Sequence, residues 1–374
     1  MVLQAIRFCM LLDINLRDKK QCRNEDFYGD YTMIDIKSMY IEELEQFIVS
    51  MGEKKFHAVQ LYKWMHQKLV PSFSECSNLS KNLKEKLFKQ CTMITLEPVK
   101  VLKSTIDGTE KYLFKLYDNN LIESVLMRYH HGNSVCISSQ VGCKMGCRFC
   151  ASTIDGCVRN LSASEMLEQV YRIQKLSGER VDNIVIMGSG EPLDNYDNLI
   201  RFLKLINSQD GLHISARNIT VSTCGLVSEM YQLAKEQLQI TLAISLHAPN
   251  DSLRRTMMPI ANKYSVEEII KACRYYMKET KRRITFEYSL VKGVNDTREC
   301  VDELIQLLSG INCHVNLIPV NPIKENDYKQ SDKKAVESFR KRLENGKINA
   351  TIRRELGRDI DGSCGQLRRS YIGQ

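Results

Sequence analysis

Between residues 135 and 318 the chain switches repeatedly between short runs rich in β-branched and apolar residues and longer runs with helical periodicity. The spacing predicts strands at 135–139, 183–187, 218–222, 241–246, 284–290 and 314–318. It predicts helices at 163–176, 197–207, 227–236, 266–278 and 298–308. Alternation of this kind requires parallel strands joined by crossover helices. Six units are too few for the closed eight-stranded form, so the expected fold is α/β, a partial (β/α)6 barrel. A last helix at 333–343 and a strand at 350–353 close the chain.

Upstream the periods differ. From residue 38 to 88 apolar residues recur at helical spacing: Ile41, Leu44, Phe47 and Ile48, then Val59, Leu61, Trp64 and Met65, then Leu83 and Leu87. They predict a small N-terminal helical accessory domain. From 95 to 130 the period falls to two, with turns at Asp107-Gly108 and Asp118-Asn119-Asn120, which predicts antiparallel lead-in strands. The expected division is an N-terminal extension (1–34), a helical accessory domain (35–95) and lead-in strands (96–134). The partial barrel (135–355) and a C-terminal loop and tail (356–374) follow.

Composition narrows the class. No run among the 374 residues approaches a membrane span. Asp13 interrupts the apolar stretch Phe8 to Leu12, and no small-residue cleavage site follows, so a cytoplasmic protein is expected. Fourteen cysteines without a secretory leader read as metal ligands, catalytic thiols and buried apolar residues. The net charge of +8 is concentrated late, at Lys281, Arg282 and Arg283, at Arg340, Lys341 and Arg342, and at Arg353, Arg354, Arg358, Arg368 and Arg369. Given a nucleic-acid substrate, these are the expected phosphate contacts.

The chemistry is concentrated where the strands end. Cys143-Lys-Met-Gly-Cys147-Arg-Phe-Cys150 spaces three thiols as C-x3-C-x2-C. Three thiolates can hold three irons of a [4Fe–4S] cluster and leave the fourth open to a small molecule, here S-adenosylmethionine. The same thiols would serve zinc if Cys136 or Cys157 completed a set of four. Gly188-Ser189-Gly190-Glu191-Pro192, Ser222-Thr223-Cys224-Gly225, Ser245-Leu246-His247 and Asn321 each follow or end a predicted strand. In a parallel barrel such phrases share the C-terminal rim. Gly188 and Gly190 would admit a ligand close to the backbone. Glu191 offers a carboxylate to an ammonium group, and Ser222, Ser245 and Asn321 offer neutral hydrogen bonds.

Taken together, Cys136-Ile-Ser-Ser-Gln-Val-Gly-Cys143, Gly190-Glu-Pro-Leu193, Ser245-Leu-His-Ala-Pro-Asn-Asp251, Asn316-Leu-Ile-Pro319 and Asp359-Ile-Asp-Gly-Ser-Cys364-Gly-Gln-Leu367 resemble the radical S-adenosylmethionine family that methylates carbon 2 of adenosine in 23S ribosomal RNA and transfer RNA. The resemblance runs from about residue 35 to 372. It implies that Cys143, Cys147 and Cys150 bind a [4Fe–4S] cluster. It implies that Gly190, Glu191, Ser222, Ser245, Leu246, His247 and Asn321 contact S-adenosylmethionine. It further implies that Cys364 becomes S-methylated, that Cys136 resolves the protein–RNA adduct and leaves a disulfide, and that Glu123 accepts a proton. Two S-adenosylmethionine molecules would be used, one to methylate Cys364 and one for the radical step. The implied partners are 23S rRNA, tRNA and a small electron donor such as flavodoxin or ferredoxin, with a monomeric enzyme and no membrane. Ser189 departs from the methionine that the family often has between the two glycines. Three alternatives remain open: a sister enzyme acting at carbon 8, a non-catalytic zinc-dependent RNA-binding protein, and a radical enzyme acting on a small molecule.

Overall fold

The fold was analysed in a computed structural model that describes residues 33–320, 327–360, 367–368 and 371. Three helices come first, α1 (Ile41–Ser50), α2 (Phe56–His66) and α3 (Lys81–Gln90). Of their expected stripes, Leu44, Phe47, Ile48, Leu61, Met65, Leu83 and Leu87 are buried, whereas Ile41, Val59 and Trp64 are half-buried. Strands β1 (Glu97–Lys103), β2 (Glu110–Lys115) and β3 (Leu121–Tyr129) pair antiparallel, and β3 pairs antiparallel with β4 (Gly132–Cys136).

A small hairpin of β5 (Gln140–Gly142) and β6 (Cys157–Asn160) stands outside the main sheet. Then α4 (Ala163–Ser177), β7 (Asn183–Ile186), α5 (Tyr196–Asn207), β8 (Ile219–Thr223), α6 (Val227–Lys235) and β9 (Thr241–Ser245) alternate. They are followed by α7 (Asp251–Met257), α8 (Val266–Thr280), β10 (Ile284–Leu290), α9 (Arg298–Leu308), β11 (Cys313–Pro319), α10 (Lys333–Asn345) and β12 (Asn349–Ile352). The main sheet has ten strands in the order β12-β11-β10-β9-β8-β7-β4-β3-β2-β1. From β4 to β12 every pairing in that sheet is parallel, so the six expected barrel strands gain β12 as a seventh.

Local chemistry explains the boundaries. Capping boxes of Ser162 with Glu165 and Ser265 with Glu268 start α4 and α8, satisfying amide groups that the first helical turn leaves unpaired. Within β10, Phe286 and Tyr288 face outward, and the Tyr288 ring lies 5.4 Å from Phe339 of α10. Thr285, Glu287 and Ser289 therefore face the barrel interior. The first barrel strand ends at Cys136, earlier than the expected 139. There the chain leaves the sheet so that Ser139 and Gln140 can donate backbone hydrogen bonds to the Ser189 carbonyl.

Polar contacts fasten the helical region to the barrel helices. Lys37 makes a buried ion pair with Glu168 of α4 (2.5 Å), and Arg201 of α5 binds Glu43 and covers the Tyr40 ring. After β12 the chain crosses back to the lead-in strands: Gly357 N–H donates to Asp107 (2.9 Å), and Asp359 accepts from Ser104 and Thr105. Leu367 then packs with Leu113 and Leu121.

Candidate active site

The hairpin β5–β6 carries the three spaced thiols on its loop. Gly142 is required at its base: φ is +77°, and a Cβ there would lie 2.0 Å from the Gly156 carbonyl oxygen. The loop is held by the Cys143 N–H on Gly156 O (2.8 Å), by the Cys150 N–H on Cys147 O, and by Thr153 Oγ1 donating to both Cys147 O and Cys150 O. Its far side rests on the end of α7, where Arg148 N–H donates to Met257 O (3.0 Å) and Gly146 meets Pro259.

Cys143, Cys147 and Cys150 all line one cavity of about 530 Å³. Burial pushes the Cys143 thiol up to about 12, and burial with neighbouring thiols pushes Cys147 well above its ordinary value. Among the described residues no three His, Cys, Asp or Glu side chains are gathered closely enough to hold one metal ion. Three soft donors spread along one cavity wall fit a larger group spanning them, such as a [4Fe–4S] cluster, better than a single tetrahedral zinc.

The rim phrases meet the same cavity: Gly188, Gly190, Glu191, Ser222, Ser245 and His247 line it. The two glycines have a further structural reason. A Cβ on Gly188 would lie 2.7 Å from Ile137 O, and one on Gly190 (φ +106°) would lie 2.6 Å from Gln140 Cβ. The close approach seen here is that of the protein's own chain.

Glu191 is buried, and its carboxylate accepts from the backbone N–H groups of Cys224 (2.7 Å) and Leu193 (3.0 Å). Burial nonetheless raises its pKa, and no ion pair to it occurs among the described residues. An ammonium group entering the cavity would complete this site, which fits the methionyl end of S-adenosylmethionine. Ser222 and Ser245, on adjacent strands, bring their hydroxyls to 3.4 Å.

His247 adopts φ +57° and accepts the Ser289 N–H at Nδ1 (2.9 Å), so its proton resides on Nε2. Burial, with Arg254 nearby, pushes its pKa down to about 3 and keeps the ring neutral. Leu246 is fully buried beside the cavity without lining it. Its N–H donates to Glu287 O, and its carbonyl accepts from Arg254 Nε.

Cys136 lies opposite Val125 in the β3–β4 register, in an apolar cluster with Val125 and Met127 against which Tyr129, Met187 and Leu356 pack. All five of those neighbours line the cavity. Glu123, two residues before Val125 on the same face of β3, is buried against the fully buried Lys111 at 3.0 Å. It also accepts the Arg368 N–H. Cys364 and Asn321 lie outside the described residues.

Arg254 and Glu287 escaped sequence reasoning, and Cys224 entered it only as part of a rim phrase, with no role of its own. Arg254 of α7 is fully buried and donates to the carbonyls of Cys224, Ser245 and Leu246, tying together the ends of β8 and β9. Cys224 lines the cavity beside Glu191, and its thiol hydrogen-bonds to that carboxylate. Glu287 also lines the cavity, although it stands in an apolar strand. The detectable signal was a charged residue in a run otherwise suited to a core.

The basic C-terminal third proves less free than its composition implied. Arg340 pairs with Glu337 and Glu344, Arg342 with Asp302, and Arg358 with Glu355, while Arg282 bonds to Ile240 O and Thr241. Arg353 and Arg354 line the cavity mouth and have no ion-pair partner among the described residues.

Comparison with known proteins agrees with this architecture. Residues 137–308 match the model of the radical SAM superfamily, and residues 34–93 match that of the ribosomal RNA large subunit methyltransferase N-terminal domain. The chain is 66% identical to the probable dual-specificity RNA methyltransferase RlmN of Lachnospira eligens, over 91% of this chain and 97% of that protein. It is 55% identical to the protein of the same description from Clostridium novyi, over 91% and 99%. The crystal structure of a radical SAM methyltransferase from Sphaerobacter thermophilus superposes with a TM-score of 0.86 at 40% identity, covering 89% of this chain and 98% of that one. The chain therefore belongs to the RlmN family of dual-specificity radical SAM RNA methyltransferases.

Proposed function

We propose that this enzyme methylates carbon 2 of adenosine in 23S rRNA and tRNA, with Cys364 as the carrier of the transferred carbon. When bound, the cluster and S-adenosylmethionine supply a methyl donor and one-electron chemistry. Cys143, Cys147 and Cys150 would hold the cluster. Glu191 would take the methionyl ammonium, while Gly190, Ser222, Ser245, Leu246, His247 and Asn321 would surround the remainder.

Carbon 2 of adenine lies between two ring nitrogens and is too electron-poor to attack a sulfonium methyl. A thiolate is not so limited. Cys364 accordingly accepts the methyl as a thioether. That carbon would give up one hydrogen atom to the one-electron chemistry of a second S-adenosylmethionine before bonding to carbon 2 of the base, and the adduct would return one electron to the cluster. Glu123 removes a proton from the adduct. The Cys136 thiolate attacks the Cys364 sulfur, forming a disulfide as the bond between sulfur and the transferred carbon breaks, and the released carbon takes up a proton to complete the methyl group. The buried Lys111 keeps a positive charge beside Glu123.

One observation carries this reading: the protein on both sides of Cys364 is anchored near the proposed partners. Leu356 packs on the Cys136 cluster, and Arg368 N–H binds the Glu123 carboxylate. Incubation with unmodified RNA, S-adenosylmethionine and reductant tests it. Wild type should yield 2-methyladenosine, identified by chromatography and mass spectrometry of nucleosides, and Cys364→Ala should yield about 1000-fold less or lower still, as for loss of a covalent nucleophile. Methylation by that variant would remove the carrier, and 8-methyladenosine from wild type would favour the carbon-8 alternative.

A further inference from the structure

We propose that Glu287 is a nucleoside-binding residue of the cavity, its carboxylate accepting hydrogen bonds from ribose hydroxyls. The inference rests on the reading above, in which the cavity receives both S-adenosylmethionine and an RNA adenosine. Glu287 is 4% exposed and lines the cavity. One carboxylate oxygen accepts from Asn316 Nδ2 at 2.8 Å, whereas the other has no hydrogen-bond partner among the described residues. That second oxygen is open to the cavity and not sealed among buried atoms, so a donor from a ligand can reach it.

The surroundings select the donor. In the sheet register Glu287 stands between Ser245 of β9 and Asn316 of β11, and Ser289, on the same face of β10, also lines the cavity. This makes a shelf of neutral polar groups with one carboxylate at its centre, suited to adjacent hydroxyls. A cationic ligand is disfavoured because Arg353 already acts electrostatically on Glu287. Glu191, in contrast, has no ion pair among the described residues. The ribose can belong to the cofactor or to the RNA acceptor, and the chemistry is the same for either.

The test is a cycle of variant against missing hydroxyl, read as binding and not as turnover. Anaerobically reconstituted wild type, Glu287→Gln and Asn316→Ala would be titrated calorimetrically with S-adenosylhomocysteine and its 2′-deoxy and 3′-deoxy forms. In a second arm, RNA with adenosine or 2′-deoxyadenosine at the target would be measured by filter binding. Iron content and melting temperature would verify folding. Wild type should lose about tenfold in affinity with the hydroxyl, and Glu287→Gln should lose less than about twofold further, in the arm whose ribose it holds. A hydroxyl penalty that is equal in wild type and Glu287→Gln in both arms overturns the proposal. So does an Asn316→Ala result that matches Glu287→Gln, because Glu287 would then act only by positioning Asn316. Failure of wild type to bind either ligand would instead reject the functional reading itself.

Discussion

At the scale of single residues, the account turns on buried groups held in one protonation state. His66 and His247 are both pushed down to about 3 by burial. The unfolded chain protonates its histidines near 6.5, so between pH 6.5 and 3 it binds more protons than the folded protein, and stability falls as pH falls. Each histidine withdraws about 1.4 kcal/mol per pH unit over that window. The raised carboxyls Asp35, Glu191 and Glu287 act oppositely at lower pH, so a variant comparison is needed to isolate the effect. Urea unfolding at pH 7 and pH 5 should show wild type losing about 2 kcal/mol more than His66→Gln. Equal losses would contradict the assignment of His66 as a buried neutral ring hydrogen-bonded to Tyr171. The three spaced thiols, Glu191 and His247 were legible in the sequence as cavity-lining residues because each sits in a short phrase at a strand end. Glu287 was not, because a lone charge within an apolar run has no spacing to identify its partners, and Arg254 was not, because it stands beside Arg255 in a short polar run that gives no sign of which arginine is buried.

At the scale of elements, loops wedged against one another build the cavity, and the glycines make that packing possible. Gly190→Ala would force a side chain onto the backbone of Gln140 at a positive φ. Gly178, at φ +70°, faces open space instead, and a methyl group there would meet no atom within 4 Å. The expected losses are about 3 kcal/mol or more for Gly190→Ala and about 1 kcal/mol for Gly178→Ala. Melting temperatures compare the two, and only the first should also weaken S-adenosylmethionine binding, by displacing Glu191. Similar melting temperatures would refute the packing argument. The period of the sequence located the strands and helices because each barrel strand must bury apolar residues and each helix one stripe. It did not reveal the hairpin β5–β6 or α7, since both are short and are fixed by tertiary hydrogen bonds, Gln140 to Asn160 and Arg254 to three carbonyls, and not by periodicity.

At the scale of the whole molecule, β12 and the segment after it carry the chain back to the lead-in strands, so residues 353–358, Thr109 and β3 contribute to one cavity. The partial barrel and its helical companion were evident from alternation, whereas the return crossing was not, because residues 354–360 are polar and glycine-bearing without period. Charge composition was a poorer guide: Arg340, Arg342 and Arg358 already bind acids and Arg282 binds Ile240 O and Thr241, whereas Arg353 and Arg354 line the cavity with no ion-pair partner among the described residues. Replacing both by Gln should flatten the salt dependence of RNA binding by about 1.5 in log–log slope, against less than half that for Arg340→Gln with Arg342→Gln. Equal changes would contradict this division. The most direct test of the sulfur-borne transfer is peptide mass spectrometry of Cys136→Ala isolated from cells. The account predicts RNA covalently attached through a one-carbon bridge at Cys364. A variant free of RNA that still makes methyladenosine at the wild-type rate, or RNA attached at another residue, would contradict it.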